Sequence, residues 1–388
     1  MKHDATTQMK FLFLAPLPSA FGEALHGARL ASGLVECGHS VTFAAPSASA
    51  PTCAGRPFEL VPIDAALTRL DTEVETLVTR LGADVLVLVD AAAIDKVTRA
   101  FRRSSQRIAA AAPQVVSIDC WNLQATRRAW DYGPVAEPID RWLLEHTPVI
   151  RPVPNAPFDA PGGYAALPTR TLPSKARRDE TRRRWGLPER GGVIVWPTAR
   201  WQLPESHDQP ALASIARVLQ ERLAPIVAAL DATIVHVSWA PIADRHRSPN
   251  YRHVDVLAAA DFEELVGAAD VLLSFNAAAT SLATAVSLGV PTVLCTARDP
   301  HGHAPPLWAW PLSLDEILAP TVRGNPFYET MAMVDLERDG ELVRGLEALL
   351  FDVAIREQHQ AAQERYRAMV RELPDGVARL LAMVREVP

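Results

Sequence analysis

Cysteine is scarce in this chain: 388 residues hold only Cys37, Cys53, Cys120 and Cys295. They are scattered and form no Cys-x-x-Cys pair. This excludes a zinc knuckle and a disulfide framework, and it fits a reducing cytoplasm. Long apolar runs are missing as well. The polar stretch Met1–Lys10 gives way to Phe11-Leu12-Phe13-Leu14-Ala15, which stops at Pro16. That run is too short for the core of a signal peptide, and no later stretch would span a bilayer. A soluble, cytoplasmic protein without a membrane span is expected. Basic charge is in deficit, with 39 Lys and Arg against 45 Asp and Glu and a net charge of -6, so nucleic acid is not an expected partner. The one basic cluster, Arg177, Arg178, Arg182, Arg183 and Arg184, is interleaved with Asp179 and Glu180 and reads as a solvated helix face. No Gly-x-Gly-x-x-Gly follows the first apolar run, which argues against a dinucleotide dehydrogenase. No repeat of fixed period is present.

What remains is an ordinary globular balance, 48% apolar and 22% charged, in a chain long enough for two cores. Phe11–Ala15 reads as a buried strand and Pro16–Gly22 as a loop. A helical pattern runs from Glu23 to a C-cap at Gly38, and Val41–Ala44 is the next strand. Helix is expected over Asp64–Leu81 and Ala91–Arg103, with strands over Asp84–Val89 and Val115–Ile118. Continuously apolar strands alternating with helices imply a parallel sheet covered on both faces. The proline-dense stretch Pro148–Pro173 is expected to be a connection between domains rather than strand or helix. A second alternating series follows, with strands at Val193–Trp196, Thr233–Val237, His253–Val256, Val271–Phe275 and Thr292–Cys295. Helices are expected at Ala211–Leu230, Phe262–Ala268 and Ser281–Leu288. After a loop-rich region beyond Pro305, Glu341–Leu350 and a long tail, Val353–Val387, read as helical.

Ligands of doubly wound sheets sit at the carboxyl ends of the strands. The most informative such place is Ala269-Asp270, the strand Val271–Phe275, the small-residue turn Asn276-Ala277-Ala278-Ala279-Thr280-Ser281, a helix, and Gly289-Val290-Pro291. Small residues at a helix start let phosphate oxygens approach backbone N–H groups, and Thr280 and Ser281 add hydroxyls. The same residues also suit a tightly packed turn capped by Thr280 or Ser281, and both readings stay open.

This segment resembles the donor-binding turn of GT-B glycosyltransferases, which reads Ala-Asp, strand, His-Gly-Gly-x-Gly-Thr, helix, Gly-Val-Pro. Without a gap, Asn276 falls on the family's His, Ala277 and Ala278 on its paired glycines, Thr280 on its third glycine, Ser281 on its Thr and Thr284 on its early Glu. The opening Ala15–Ala31 with Gly38-His39-Ser40-Val41-Thr42 is similar to the family's first helix and second strand. There Gly22 matches the family's Gly, and Glu23 stands where the catalytic His often is, with His26 one turn on.

The resemblance implies an α/β protein of two Rossmann-like, doubly wound parallel-sheet domains facing each other across a cleft. It sets an acceptor domain at 1–165, on which a C-terminal helix at about 365–388 packs back, and a donor-nucleotide domain at 166–364. The implied activity is metal-independent transfer of a sugar from a nucleotide-sugar co-substrate, of UDP or dTDP type, to a small acceptor such as a secondary metabolite. No other cofactor and no metal are expected, and the chain is expected to be a monomer or homodimer. A nucleotide-sugar epimerase, a pseudo-glycosyltransferase or a catalytically degenerate partner protein are the alternatives, because the family's His, Gly-Gly and Glu are replaced.

Glu23, with His26 and Asp119, is the catalytic candidate set. A buried glutamate of raised pKa would serve as general base, whereas the plainer reading has Glu23 favouring a helix start. Phe21, Gly22, Asp90 and Trp121 are acceptor-side candidates, although Asp90 and Asp119 would equally cap following helices. Asn276, Ala279, Thr280 and Ser281 are the phosphate candidates. Trp201 and Trp239 follow strand ends and would wall the site or stack on a base, though packing is the commoner role of Trp. His301, in the His301-Gly302-His303 loop, is expected to contact sugar rather than metal. Asn325-Pro326 reads as a turn.

Overall fold

The computed structural model describes residues 8–17, 21–63, 67–120, 128–129, 137–138, 140–154, 156–166, 173–203, 229–243, 247–277, 279–296, 325–335, 338 and 340–386. The chain divides into two compact units, Met1–Ala166 with Leu373–Pro388, and Leu167–Glu372.

The first unit is built on parallel strands β1 (Lys10–Leu14), β2 (Ser40–Ala45), β3 (Glu59–Pro62), β4 (Val85–Val89) and β5 (Gln114–Ile118). The short antiparallel pair β6 (Arg128–Ala129) and β7 (Glu137–Pro138) stands apart. Then β8 (Val149–Val153) and β9 (Gly163–Ala165) complete a seven-stranded sheet of order β3-β2-β1-β4-β5-β8-β9. Alternation explains how the apolar strings are buried twice over. Phe11, Phe13, Val85 and Val87 join one core with the helix Phe21–Glu36, while Leu12, Leu14, Leu86 and Leu88 join another with the helix Leu70–Leu81. Gly27 lets the first helix lie close on the sheet, since a Cβ there would come 2.7 Å from Val89 Cγ2. Gly38, at φ 89°, closes that helix's exit in the left-handed region.

Three departures from the sequence reading have clear causes. The proline-dense stretch contributes β8 and β9 to the sheet instead of a bare connector. Pro152 is tolerated there because Arg151 N–H faces β9, donating to Gly162 O, so the next N–H would face β5. The ladder with β5 has ended by then, with Asp119 N–H on Ile150 O as its last bond, so no hydrogen bond is lost. Strand β3 is a half-exposed edge whose pattern is too short to stand out. The long helical tail is two helices, Val353–Arg371 and Gly376–Glu386, separated at Pro374. Each has its own cap: Asp352 accepts from the Ala354 and Ile355 amides, and Asp375 from those of Val377 and Ala378. The second helix belongs to the first unit, where Leu380 and Val384 enter the core beside Tyr164.

The second unit holds β10 (Gly192–Pro197), β11 (Ala232–Val237), β12 (Tyr251–Val254), β13 (Val271–Ser274), β14 (Thr292–Thr296) and β15 (Ala332–Asp335), in the order β12-β11-β10-β13-β14-β15. Strand β15 lies in what reads from sequence as a loop-rich region. The expected helix at 211–230 falls almost wholly outside the described residues.

The arginine cluster is a solvated face only in part: Arg177, Arg183 and Arg184 are exposed, whereas Arg178 and Arg182 form a clamp. The Asp270 carboxylate accepts Arg178 and Arg182 at 2.8 Å each and the Val193 amide at 2.9 Å. This pins the helix Lys175–Arg184 to the starts of β10 and β13. Arg182 is only 6% exposed, so its charge depends on that partner. Arg184 pairs outward with Asp261 and Glu264.

Candidate functional site

Both sheets run 3-2-1-4-5-6 from the edge, counting strands in order within each unit, with one further strand in the first. The order reverses between β1 and β4, and again between β10 and β13. At such switch points the loops after adjacent strands diverge and leave a crevice at the carboxyl edge. The candidate residues collect at these two places, each described within its own unit.

In the first unit, the helix Phe21–Glu36 follows β1. Phe21 and Gly22 lie in its first turn and are half-buried, where the sequence reading had a loop before a helix starting at Glu23. Glu23 is buried, and its side chain, one turn before His26, shares a face of the helix with it. Asp90 and Asp119 stand just past the adjacent strands β4 and β5, 4% and 2% exposed. Asp90 takes a φ of 66°, a backbone region that a non-glycine residue enters only when its surroundings hold it there. Asp119 lies 3.7 Å from the Arg151 guanidinium. Burial first, and then the charges of Asp90, Glu23 and Asp119, push the Cys120 thiol well above its ordinary pKa. Those three carboxylates therefore act on one locality, and Cys120 is an inert thiol within it. His26 is 1% exposed, and burial with the nearby Arg29 charge lowers its pKa to about 3. Its ring is neutral at physiological pH and a weak proton acceptor. Trp121 lies outside the described residues.

In the second unit, the turn after β13 leads into the helix Thr280–Ser287. Its N-cap residue, Ala279, offers no side chain to the first-turn amides. Thr280, 8% exposed, has a buried hydroxyl with no hydrogen-bond partner among the described residues. A buried hydroxyl in that condition costs free energy unless a ligand meets it. Thr284, on the family's Glu position, is turned inward, its hydroxyl donating to Thr280 O at 3.1 Å. Asn276 is buried, and its backbone is held by Ser274: the Ser274 hydroxyl accepts from Asn276 N–H and donates to Asn276 O, each at 3.2 Å. Ser281 is half-buried at the second helical position. Trp239, just past β11, is 37% exposed, and the Arg200 guanidinium lies 5.3 Å from its ring centroid. Trp201 sits in the short helical turn Arg200–Gln202 after β10. His301 lies outside the described residues. Asn325-Pro326 is a turn, closed by Phe327 N–H on Asn325 Oδ1 at 3.0 Å.

Several residues at this edge escape a reading of the sequence. Gln202 spans the switch point, accepting from Ala199 N–H and donating to Phe275 O. His236 is fully buried against Trp196, with ring centroids 4.2 Å apart, and burial lowers its pKa to about 3. Tyr251 Oη accepts the Ile242 amide and is hydrogen-bonded to His236 Nδ1 at 2.7 Å, while His236 Nε2 is hydrogen-bonded to Thr198 Oγ1 at 2.7 Å. A histidine in the interior of an apolar strand is the one signal the sequence offers for this network. Among the described residues, no three His, Cys, Asp or Glu side chains come together as a metal site requires. No described helix is long and apolar enough to cross a membrane.

Two doubly wound units of this order make the GT-B fold, and solved glycosyltransferases share it along the whole chain. The spinosyn forosaminyltransferase SpnP superposes with a TM-score of 0.57 at 16% identity, covering 98% of this chain and 100% of its own. A glycosyltransferase from Rickettsia africae ESF-5 gives 0.56 at 11%, covering 98% and 99%. The glycosyltransferase VinC, solved with dTDP, gives 0.54 at 15%, covering 97% and 99%. By sequence, residues 30–300 and 294–387 match DUF6365, a family of unknown function, and the chain belongs to that family. No curated protein matches it by sequence.

Proposed function

We propose that this protein transfers a sugar from a nucleotide-sugar donor, of UDP or dTDP type, to a small-molecule acceptor. The observation that carries this reading is the start of the helix Thr280–Ser287. Its uncapped first turn, its small neighbours and the unpartnered Thr280 hydroxyl suit the oxygens of a diphosphate. The GT-B fold supports it, as does the complex of the similarly folded VinC with dTDP.

In this reading Glu23 takes the proton of the acceptor hydroxyl while that oxygen bonds to the anomeric carbon. The bond from that carbon to the diphosphate oxygen breaks, and the leaving charge is received by the helix start with Thr280 and Ser281. These dipoles and hydroxyls do what a bound cation does in other transferases. His26, neutral and buried, shapes the Glu23 environment and takes no proton. Trp239 and Trp201 are assigned to the base, and Asp90 and Asp119 to the acceptor.

Calorimetric titration with UDP, dTDP and their sugar conjugates tests the donor half. Mass spectrometry of products from donor and acceptor mixtures tests the transfer. Micromolar binding of one nucleoside diphosphate is expected, and no heat with any of them would sink the proposal.

A further inference from the structure

After β13 the sequence has alanines, Ala277 and Ala278, where a phosphate-binding turn gains from glycine's freedom. Carbonyl oxygens in such a turn repel an approaching oxyanion unless they are drawn elsewhere. Here two of them are drawn inward. Tyr328, 5% exposed and more than forty positions later in the chain, donates its hydroxyl to Ala277 O at 3.0 Å. Ser274 donates to Asn276 O, which also accepts the Ala279 amide at 3.1 Å. Tyr328 is itself held by the short helical turn Tyr328–Thr330 and by edge packing on Phe327, ring centroids 5.2 Å apart. Behind it, Phe327 packs on Tyr366 of the helix Val353–Arg371.

We propose that Tyr328 and Ser274 are positioning residues that preorganise this alanine turn to receive a diphosphate, drawing its carbonyl oxygens into the domain. They touch no ligand themselves, and they fix the dipoles before it arrives, so that binding carries little reorganisation. The inference rests on the diphosphate site proposed above and names what builds it.

The test compares the full-length protein with Tyr328→Phe and Ser274→Ala. Titrations use dTDP against thymidine, UDP against uridine, and inorganic pyrophosphate alone, with thermal melts of each variant. Either variant is expected to weaken diphosphate and pyrophosphate binding about tenfold and to leave nucleoside binding within about twofold, because a lost hydrogen bond in the turn touches only the phosphate increment. A variant that weakens nucleoside and diphosphate equally, or that binds both as wild type does, overturns the inference. If Tyr328→Phe does not fold, Ser274→Ala decides the same mechanism by the same titrations. If the wild-type protein binds neither diphosphate nor pyrophosphate, the proposed function falls first and this inference with it. Wild-type binding with an indifferent variant sinks the inference alone.

Discussion

At the end of β4 in the first unit stands a buried aspartate in left-handed backbone, near Glu23 and Asp119. At the end of β13, the corresponding place in the second unit, alanines and hydroxyls lead into a helix without a side-chain cap. One strand order therefore presents acid at one switch point and a start suited to anions at the other. Topology decides where the crevice lies, and the residues just past the strand ends decide what it holds. The difference is the physical basis for assigning proton transfer to the first unit and the leaving group to the second.

The strongest way to break that comparison is Glu23→Gln. Turnover is expected to fall about 100- to 1,000-fold in a product assay, with dTDP or UDP affinity unchanged by calorimetry, because general-base loss leaves the second unit untouched. If diphosphate affinity falls with turnover, the division of labour is wrong. Next comes the clamp under the second unit. Asp270→Ala leaves Arg182 buried without its partner and is expected to cost about 3 kcal/mol in chemical denaturation, since removing one side of a buried pair strands the other charge.

Acid offers a third comparison, because each unit has a fully buried neutral histidine, His26 in the first and His236 in the second, whose pKa is lowered to about 3. In the unfolded chain each returns to 6.5, so between pH 6.5 and 3 the unfolded state binds the extra proton. Stability is unaffected by these rings above pH 6.5 and is lost as pH falls below it, at about 1.4 kcal/mol per pH unit for each histidine. Replacing either histidine with glutamine should flatten its share of the slope in pH-dependent denaturation. The smallest expected effect is the most diagnostic. Thr280→Val should weaken diphosphate binding about tenfold while raising stability by about 1 kcal/mol, since a buried hydroxyl without a partner is removed. A loss of both would make that hydroxyl an ordinary structural one.

Most of the fold could be read from the chain because it depends on continuous apolar strings. Phe11–Leu14, Val85–Val89, Val193–Trp196 and Val271–Leu273 are strands for the reason they look like strands. What escaped was edge and exception. Strand β3 is half-exposed, β15 sits in a region that reads as loop, and Pro152 is admitted only because the ladder with β5 has already ended. At the candidate site, the turn from Asn276 to Ser281 was visible through its order of residue types. Tyr328, Gln202 and His236 were not, because each acts across the sheet on a backbone atom or side chain far away in sequence. The buried position of His26 was also illegible, since one histidine on a helix face looks the same whether it meets solvent or a core.

The helix Gly376–Glu386 packs against the first unit so closely that a Cβ on Gly376 would lie 2.6 Å from Leu30 and 2.7 Å from Tyr164. During synthesis, then, the first unit emerges early but waits, with part of its core open, until more than two hundred further residues have left the ribosome. The second unit, Leu167–Glu372, is contiguous and has no such wait. Of the two units, the one whose synthesis starts earlier is therefore the one completed later.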